Sequence, residues 1–377
     1  MRVLWISQMN IDDARHVSIA TQTEMSRALR LRGHDVELVV GGNRTRVEDG
    51  VIVRDTSTPW SRVLFGVRAI ATIRESAPDC VILDQEYQVH ALVAARRANR
   101  LPSATSIVCD IRTLPIWDKR GLVNRLRTIR FRSAVRLAAS GLDGLTTITP
   151  ALARELQCLG VAPRDIVAVW PSGCWVEDSL PRPRQSHGAT RFVYLGALVA
   201  NRGLDECVQA IAQVAEAGAA CELVLIGDGP LRESLAIRAE ECGVGDRVRF
   251  TGRLDHDSVN SVLRYCDVGL SPLPNRGCWD VSSPLKMFEY LAAGLPVVYT
   301  PIAAHLAILK GSAAGVEARS TGVDDLTDAM RRAIAHVTSE EVAGECRRIA
   351  ASHDWSVIAA SLEEGLSEAR NRHAARS

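Results

Sequence analysis

The stretch 282–300, SSPLKMFEYLAAGLPVVYT, reads as a helix that stops at Gly294-Leu295-Pro296 and runs directly into a Val-rich strand. Ser282 or Ser283 is placed to cap the helix, with Pro284 in its first turn. Gly294 suits the position past a helix end, and Pro296 starts a strand without continuing the helix. The inward face of this helix is apolar except for one carboxylate, Glu289. Lys286 stands in the first turn, where the helix dipole disfavours a cation.

The same joint recurs outward from this segment in both directions. Short buried-type runs (RVLWIS, DVELVV, DCVILD, ATSIVCD, GLTTIT, DIVAVW) alternate with helical ones such as 18–31 and 87–99. Continuous apolar strands of this kind belong to parallel sheets covered on both faces, and strand–helix alternation implies βαβ units in a doubly wound α/β sheet. SLPRPRQSHGATR (179–191) has linker composition. The alternation then restarts with RFVYLGA, CELVLIGDG, RVRFTG, CDVGLSP and PVVYT. A long helical stretch, about 324–370, closes the chain and breaks near His353-Asp354-Trp355. Two tandem Rossmann-like domains are expected at 1–180 and 191–355, with 181–190 between them and a C-terminal helix at 356–377 that can cross back to the first domain.

The chain has 377 residues, 47% hydrophobic and 24% charged, with a formal net charge of +1. This is soluble globular composition with no global field for nucleic acid or an acidic partner. Ten cysteines are scattered without a C-x-x-C pair, which reads as reduced core thiols in a cytoplasmic protein. The first strand starts at residue 2, so no signal peptide is expected. No apolar run approaches the roughly 20 residues that span a bilayer.

In open parallel sheets ligands sit beyond the carboxyl ends of strands, so the loops after strands carry the chemistry. In YLGALVANRG (194–203) Gly196 opens a loop, Arg202 adds a forked cation and Gly203 precedes a helix N-terminus. These are the parts of a diphosphate clamp, or else an ordinary loop with a solvated Arg. Gly227-Asp228-Gly229-Pro230 reads by itself as a tight turn and helix start. Arg253, after Gly252, lies where backbone groups can read a base edge, or in a plain loop. Glu289 can accept from the paired hydroxyls of a ribose, or else pair with Lys286 at the surface.

The order G-x-x-x-x-x-R-G, I-G-D-G-P-L, V-x-F-x-G, S-P-L-K-x-F-E-Y-x-A-x-G-x-P-V-V, spread over about 110 residues, resembles the donor-binding domain of glycosyltransferase family 4. That family has the GT-B fold, two Rossmann-like domains facing a cleft. RLRGHDVELVV, ITPALARELQCLGVAPRDIVAVWPSG and HDWSVIAASLEEGL resemble its acceptor-domain strand region, its domain-closing segment and its terminal crossover helix. The resemblance implies that 1–180 binds acceptor and 191–355 binds a nucleotide diphosphate sugar. Glu289 would hold the ribose. Arg202 and the turn at Pro284 and Leu285 would hold the diphosphate, with Lys286 as a lesser candidate. Gly196 would border the sugar-phosphate and Arg253 the base. It implies retaining transfer to a hydroxyl of a glycan, lipid-linked or small-molecule acceptor, in cell-surface polysaccharide synthesis or in making a glycosylated secondary metabolite, and uridine is favoured over guanosine on frequency alone. With no D-x-D at a strand end, no metal and no cofactor are expected. Two positions depart from the family: Val281 replaces a second Glu eight residues before Glu289, and Ala197 replaces an Arg. A catalytically weakened scaffold subunit fits those departures. A GT-B epimerase lacks its catalytic set here. A nicotinamide dehydrogenase needs G-x-G-x-x-G where SQMNIDDARH stands.

On the acceptor side Asp110, after ATSIVC, is the candidate catalytic carboxylate beside Arg202 as the catalytic cation. Arg112 is its neighbour, and the alternative is a loop Asp bonded to local backbone or to Arg112. His16 is a further acceptor-side candidate, or a solvated His. The segment 119–139, KRGLVNRLRTIRFRSAVRLAA, holds seven basic residues and no acid. It reads as an amphipathic helix that rests on an anionic membrane at the inner face, or as a helix whose apolar stripe joins the core.

Overall fold

A computed structural model describes residues 1–12, 17–48, 50–84, 88–114, 121–176, 188–336 and 339–376. His16, Lys119, Arg120 and most of the proline-rich segment lie outside them. The chain divides into two compact units, one of Met1–Pro171, Val281–Ser283 and Trp355–Ser377, the other of Ser172–Asp280 and Pro284–Asp354.

The first unit runs β1 (Arg2–Asn10), α1 (Val17–Leu31), β2 (Asp35–Gly42), β3 (Arg46–Glu48), β4 (Val51–Asp55), α2 (Pro59–Ser76), β5 (Cys80–Asp84), α3 (Gln88–Arg97), β6 (Ser106–Ile111), α4 (Leu122–Gly141), β7 (Gly144–Thr147), α5 (Pro150–Cys158) and β8 (Ile166–Val169). Its sheet has the order β3-β4-β2-β1-β5-β6-β7-β8 and is parallel except for β3 against β4. β5 and β6 are buried along their whole length, which explains their unbroken apolar sequence. The connections β4–α2–β5, β5–α3–β6 and β6–α4–β7 all advance one way across the sheet, whereas β1–α1–β2 goes the other way. Right-handed crossovers therefore put α2, α3 and α4 on one face and α1 on the opposite face.

The second unit runs β9 (Thr190–Leu195), α6 (Leu204–Glu216), β10 (Cys221–Ile226), α7 (Arg232–Glu241), β11 (Val248–Gly252), α8 (His256–Leu263), β12 (Val268–Ser271), α9 (Gly277–Asp280), α10 (Leu285–Ala292), β13 (Val297–Tyr299), α11 (Ala303–Leu309), β14 (Gly315–Glu317), α12 (Val323–His336) and α13 (Glu340–Ala351). Its six parallel strands have the order β11-β10-β9-β12-β13-β14. The strand order reverses between β9 and β12, so the loops after these two strands part and leave a crevice. The last helix, α14 (Trp355–Arg376), packs on α1, β6 and β8 of the first unit.

The sequence reading differs from this structure in four places. The terminal helical stretch is three helices, α12, α13 and α14, with Ser339 capping α13 through the Val342 N–H as well as the break at His353-Asp354. Strands β3, β4 and β14 stand where the sequence pattern shows no strand. They lie at or next to the sheet edges, where burial is partial and the sequence is not a continuous apolar run. Neither Ser282 nor Ser283 caps α10. Its N-cap is Pro284, which makes no side-chain cap. The second unit also begins before the proline-rich segment. The Cys174 N–H donates to the His353 carbonyl at 3.0 Å, and the Val176 N–H to Asp354 Oδ2 at 3.0 Å, which ties 172–176 to the end of α13.

Candidate functional site

Three loop segments at the carboxyl ends of β9, β10 and β11 are stitched together by backbone. The Gly196 N–H donates to Ile226 O, Gly227 N–H to Gly252 O, Leu198 N–H to Asp228 O and Leu231 N–H to Leu198 O, at 2.9 to 3.0 Å. A Cβ on Gly227 would stand 2.0 Å from Gly196 O, and one on Gly229 2.4 Å from Leu198 O. The glycines of IGDG thus exist for this backbone packing, and they hold the Gly196 loop in place. Gly203 caps α6 with φ +66°, and a Cβ there would lie 2.4 Å from the Pro272 carbonyl. The close approach it permits is to the loop after β12.

Two cations stand at this crevice, each over an aromatic ring. Lys286 Nζ lies 3.7 Å from the Tyr194 ring centroid, and Arg202 Cζ lies 4.4 Å from that of Trp279. Neither has a hydrogen-bond acceptor or a carboxylate partner among the described residues. A Cβ on Gly196 would come within 3.2 Å of Lys286 Nζ, so the bare glycine leaves that ammonium its space. Burial holds the Lys286 ammonium well below its ordinary pKa, and the Arg202 charge lowers it further, while Glu289 opposes them. The rings supply partial compensation for buried charge without neutralising it. Burial pushes the Tyr194 phenol up to about 12, so this platform stays neutral.

α10 is seated by Tyr290. Its ring lies on Gly269 of β12, where a Cβ would fall 2.3 Å from ring carbon, and its hydroxyl accepts from the Leu195 N–H at 2.6 Å. The start of the helix, with no side-chain cap, leaves the N–H groups of Leu285 and Lys286 to other acceptors. Glu289 is half-buried on α10, just over one turn from Leu285. His305 is fully buried on α11. Its Nδ1 donates to the Thr300 carbonyl at 2.8 Å, so Nε2 accepts from Ser271 Oγ at 3.0 Å. Burial pushes this imidazole down to about 4. Arg253 is exposed after Gly252, in the loop stitched to that of β10.

The acceptor-side candidates belong to the first unit. Asp110 is the penultimate residue of strand β6 rather than part of a loop, 1% exposed. Its Oδ1 accepts from Thr146 Oγ1 at 2.7 Å and Trp170 Nε1 at 3.1 Å. Its Oδ2 is 3.8 Å from Arg112 Nη1, and neither that oxygen nor the two terminal nitrogens of Arg112 make a hydrogen bond. The Arg112 guanidinium lies 3.6 Å over the Trp170 ring. Burial raises the Asp110 carboxyl, with Arg112 opposing, and lowers Arg112 to about 10. Such a buried pair without hydrogen bonds between its members is a poor stabiliser and calls for another role. Val281 packs with the core of this unit, and its carbonyl accepts from Thr149 Oγ1 at 2.8 Å.

The comparisons bear on both units. Residues 19–173 match the family model "Glycosyl transferase 4-like domain", and residues 189–336 match "Glycosyl transferases group 1". The chain belongs to the GT-B glycosyltransferases. It is 26% identical to a 2-deoxystreptamine glucosyltransferase of Streptomyces kanamyceticus over 66% of this chain and 73% of that one. It is also 26% identical to a GDP-mannose-dependent phosphatidylinositol dimannoside mannosyltransferase of Mycobacterium tuberculosis, over 88% and 87%. Among solved structures, HepE of Anabaena in complex with UDP superposes with a TM-score of 0.71 at 16% identity, over 97% and 100% of the chains. Sucrose-phosphate synthase of Thermosynechococcus elongatus has the same TM-score at 16% identity over the full length of both chains.

As a GT-B glycosyltransferase the chain is an enzyme that transfers sugars. The second unit gathers Gly196, Arg202 and Lys286 into one cluster, with Gly203 at its edge and Pro284, Leu285 and Glu289 on the adjoining helix. Sequence reasoning passed over the aromatic rings beneath the cations, Tyr194, Trp279 and Trp170. The signal was available: Tyr194 stands two residues before Gly196, and Trp279 a few residues before Pro284. No helix of the described residues is long and apolar enough to cross a membrane.

Proposed function

We propose that this transferase binds a nucleoside diphosphate sugar in its second unit and moves the sugar, with retention, to an acceptor hydroxyl. Arg202, Lys286 and the open N–H groups of α10 take the diphosphate, and Glu289 takes the ribose hydroxyls. The observation that carries this reading is the pair of cations held on rings without any acceptor. A diphosphate supplies charge and acceptor oxygens to both at once. As the bond to the sugar breaks, negative charge grows on the leaving diphosphate, and these fixed donors stabilise it in the way a divalent metal does elsewhere. Gly203 sets the turn that presents Arg202, Gly196 leaves room at the sugar-phosphate, and Arg253 borders the base. In the first unit Asp110 is the acceptor-side carboxylate, acting from beneath the surface through its charge, and Arg112 offsets that charge. The exposed basic face of α4 supports contact with an anionic membrane and favours a lipid-linked acceptor of cell-surface polysaccharide synthesis.

The test is calorimetric binding of UDP, GDP, UMP, GMP and pyrophosphate, read together with melting temperature. HepE's complex with UDP puts uridine first, and the mannosyl relative's GDP-mannose puts guanosine second. Arg202→Ala and Lys286→Met each weaken diphosphate binding by about 10- to 100-fold, the value of a hydrogen bond to a charged group. Glu289→Ala weakens nucleotides and spares pyrophosphate. Asp110→Asn keeps nucleotide binding and loses sugar transfer. Absence of binding by every nucleotide, or unchanged UDP and GDP affinity in a folded Lys286→Met protein, defeats the assignment.

A further inference from the structure

Helix α4 does not bury its leading apolar residues. Leu122, Leu126 and Ile129 are 73%, 57% and 63% exposed, and they recur at i, i+4 and i+7. The buried side of the helix is formed by Phe131, Ala134, Val135 and Ala138. At 3.6 residues per turn this puts the Leu122–Leu126–Ile129 stripe on the side directly opposite the core. The alternative in which the stripe joins the core is thereby removed. Arg125, Arg130 and Arg132 are exposed and flank the stripe.

Helix α2 repeats the pattern. Trp60, Leu64 and Val67 are 79%, 45% and 61% exposed at the same spacing, half a turn from the buried Phe65, Ala69 and Ile73. Arg68 and Arg74 are exposed beside them. The two helices lie on the same face of the sheet, with α3 packed against both. α3 meets α4 where Ser133 Oγ lies 3.5 Å from His90 Nε2. Both stripes therefore point outward from one face, and each begins at its helix N-terminus, at the carboxyl end of the strands, where Asp110 also lies. The only carboxylate on α2, α3 and α4 is Glu75, in the last turn of α2.

We propose that α2 and α4 together form a docking surface for an anionic phospholipid bilayer, with Trp60, Leu122, Leu126 and Ile129 entering the headgroup layer and the flanking arginines holding its anionic lipids. The occupant follows from charge and shape. A protein partner would have to match two separate apolar stripes and the exposed cations beside them at once, whereas an anionic bilayer satisfies both features across a broad face. An exposed Trp at the end of such a face is the residue type that sits at the membrane–water boundary. The chain's net charge of +1 makes the attraction local to this face. This extends the membrane contact of α4 to two helices, and its test does not use sugar transfer.

The experiment is co-sedimentation of the full chain with phosphatidylcholine vesicles and with vesicles of phosphatidylcholine and phosphatidylglycerol at 70:30. Binding is expected to the anionic vesicles, at least about tenfold weaker to the neutral ones, and reduced by 0.5 M salt. Leu126→Asp with Ile129→Asp, and separately Trp60→Ala, lower binding about tenfold. Both leave the melting temperature and nucleotide binding unchanged, because these side chains touch no core. Equal binding to both vesicle types overturns the electrostatic half of the proposal. No binding to anionic vesicles overturns it whole. Dimerisation in the ultracentrifuge, abolished by Leu126→Asp without any vesicle binding, assigns the face to a second copy instead. Failure here with intact nucleotide binding leaves the transferase reading standing.

Discussion

Lys286 carries more of the chemistry than its place in the sequence suggests. A lysine in the first turn of a helix is opposed by the dipole. The structure adds burial and the charge of Arg202, with only Glu289 and Cys207 pulling the other way. A bound diphosphate reverses this balance by placing anionic oxygens against the ammonium. Nucleotide binding then takes up a proton wherever the pH lies between the lowered pKa of the free protein and the higher one of the complex. Affinity falls as pH rises through that window. Titration calorimetry in buffers of different ionisation enthalpy reads the uptake directly, and Lys286→Arg, charged at all accessible pH, removes it. A binding enthalpy independent of the buffer in the unaltered protein refutes the linkage. Arg202, Lys286 and Glu289 were legible because charge and position in a motif are sequence properties. Tyr194, Trp279 and Trp170 were not, because a ring becomes a platform only when the fold brings a cation over its face.

At the scale of elements the helix-to-strand joint at 292–297 was readable because Gly294 and Pro296 act locally. The strength of α10's seat was not readable, since it depends on Tyr290 of the helix meeting Gly269 and Leu195 of two other elements. Tyr290→Phe keeps the ring on the sheet and leaves the Leu195 N–H without its acceptor. The expected cost is about 1 kcal/mol of stability, the low end for a lost hydrogen bond because the Leu195 N–H is only part-buried, measured by urea denaturation. Because α10 carries Lys286 and Glu289, nucleotide affinity falls with it. A Tyr290→Phe protein as stable as the original and binding nucleotide equally well shows that packing alone holds the helix. The exposed stripes of α2 and α4 make a related point. Periodicity told that α4 has an apolar line, but in both helices the side that meets the core is fixed by a second line, Phe65–Ala69–Ile73 and Phe131–Ala134–Ala138, which only packing distinguishes from the exposed one.

At the scale of the whole chain, alternation of buried strands and helices specified two doubly wound sheets. The course of the backbone at the unit boundaries was not specified, because it rests on contacts distant in sequence. Asp143 shows why. Its carboxylate accepts from Arg96 at 2.6 Å and the Ile107 N–H at 2.8 Å and meets His373 of α14 at 3.2 Å, joining residues 47, 36 and 230 positions apart. The cysteines give a measure of this organisation. Cys80, Cys109, Cys174, Cys207, Cys221, Cys266 and Cys346 are buried, Cys242 and Cys278 are half-buried, and Cys158 is exposed, all as free thiols. Burial raises Cys80 and Cys346 to about 12 and holds Cys109, Cys174 and Cys207 above the ordinary thiol range. The thiolate is the reactive form, so these groups are protected twice, by access and by protonation. Titration of the native enzyme with a disulfide reagent at pH 8 is expected to find Cys158 fast, Cys242 and Cys278 slow, and the rest only after unfolding. Cys278 lies next to Trp279, the ring beneath Arg202, so a bound nucleoside diphosphate slows its labelling and leaves Cys158 unaffected. More than three thiols reacting in the native protein contradicts the packing, and labelling of Cys278 indifferent to nucleotide contradicts the placement of the diphosphate at Arg202.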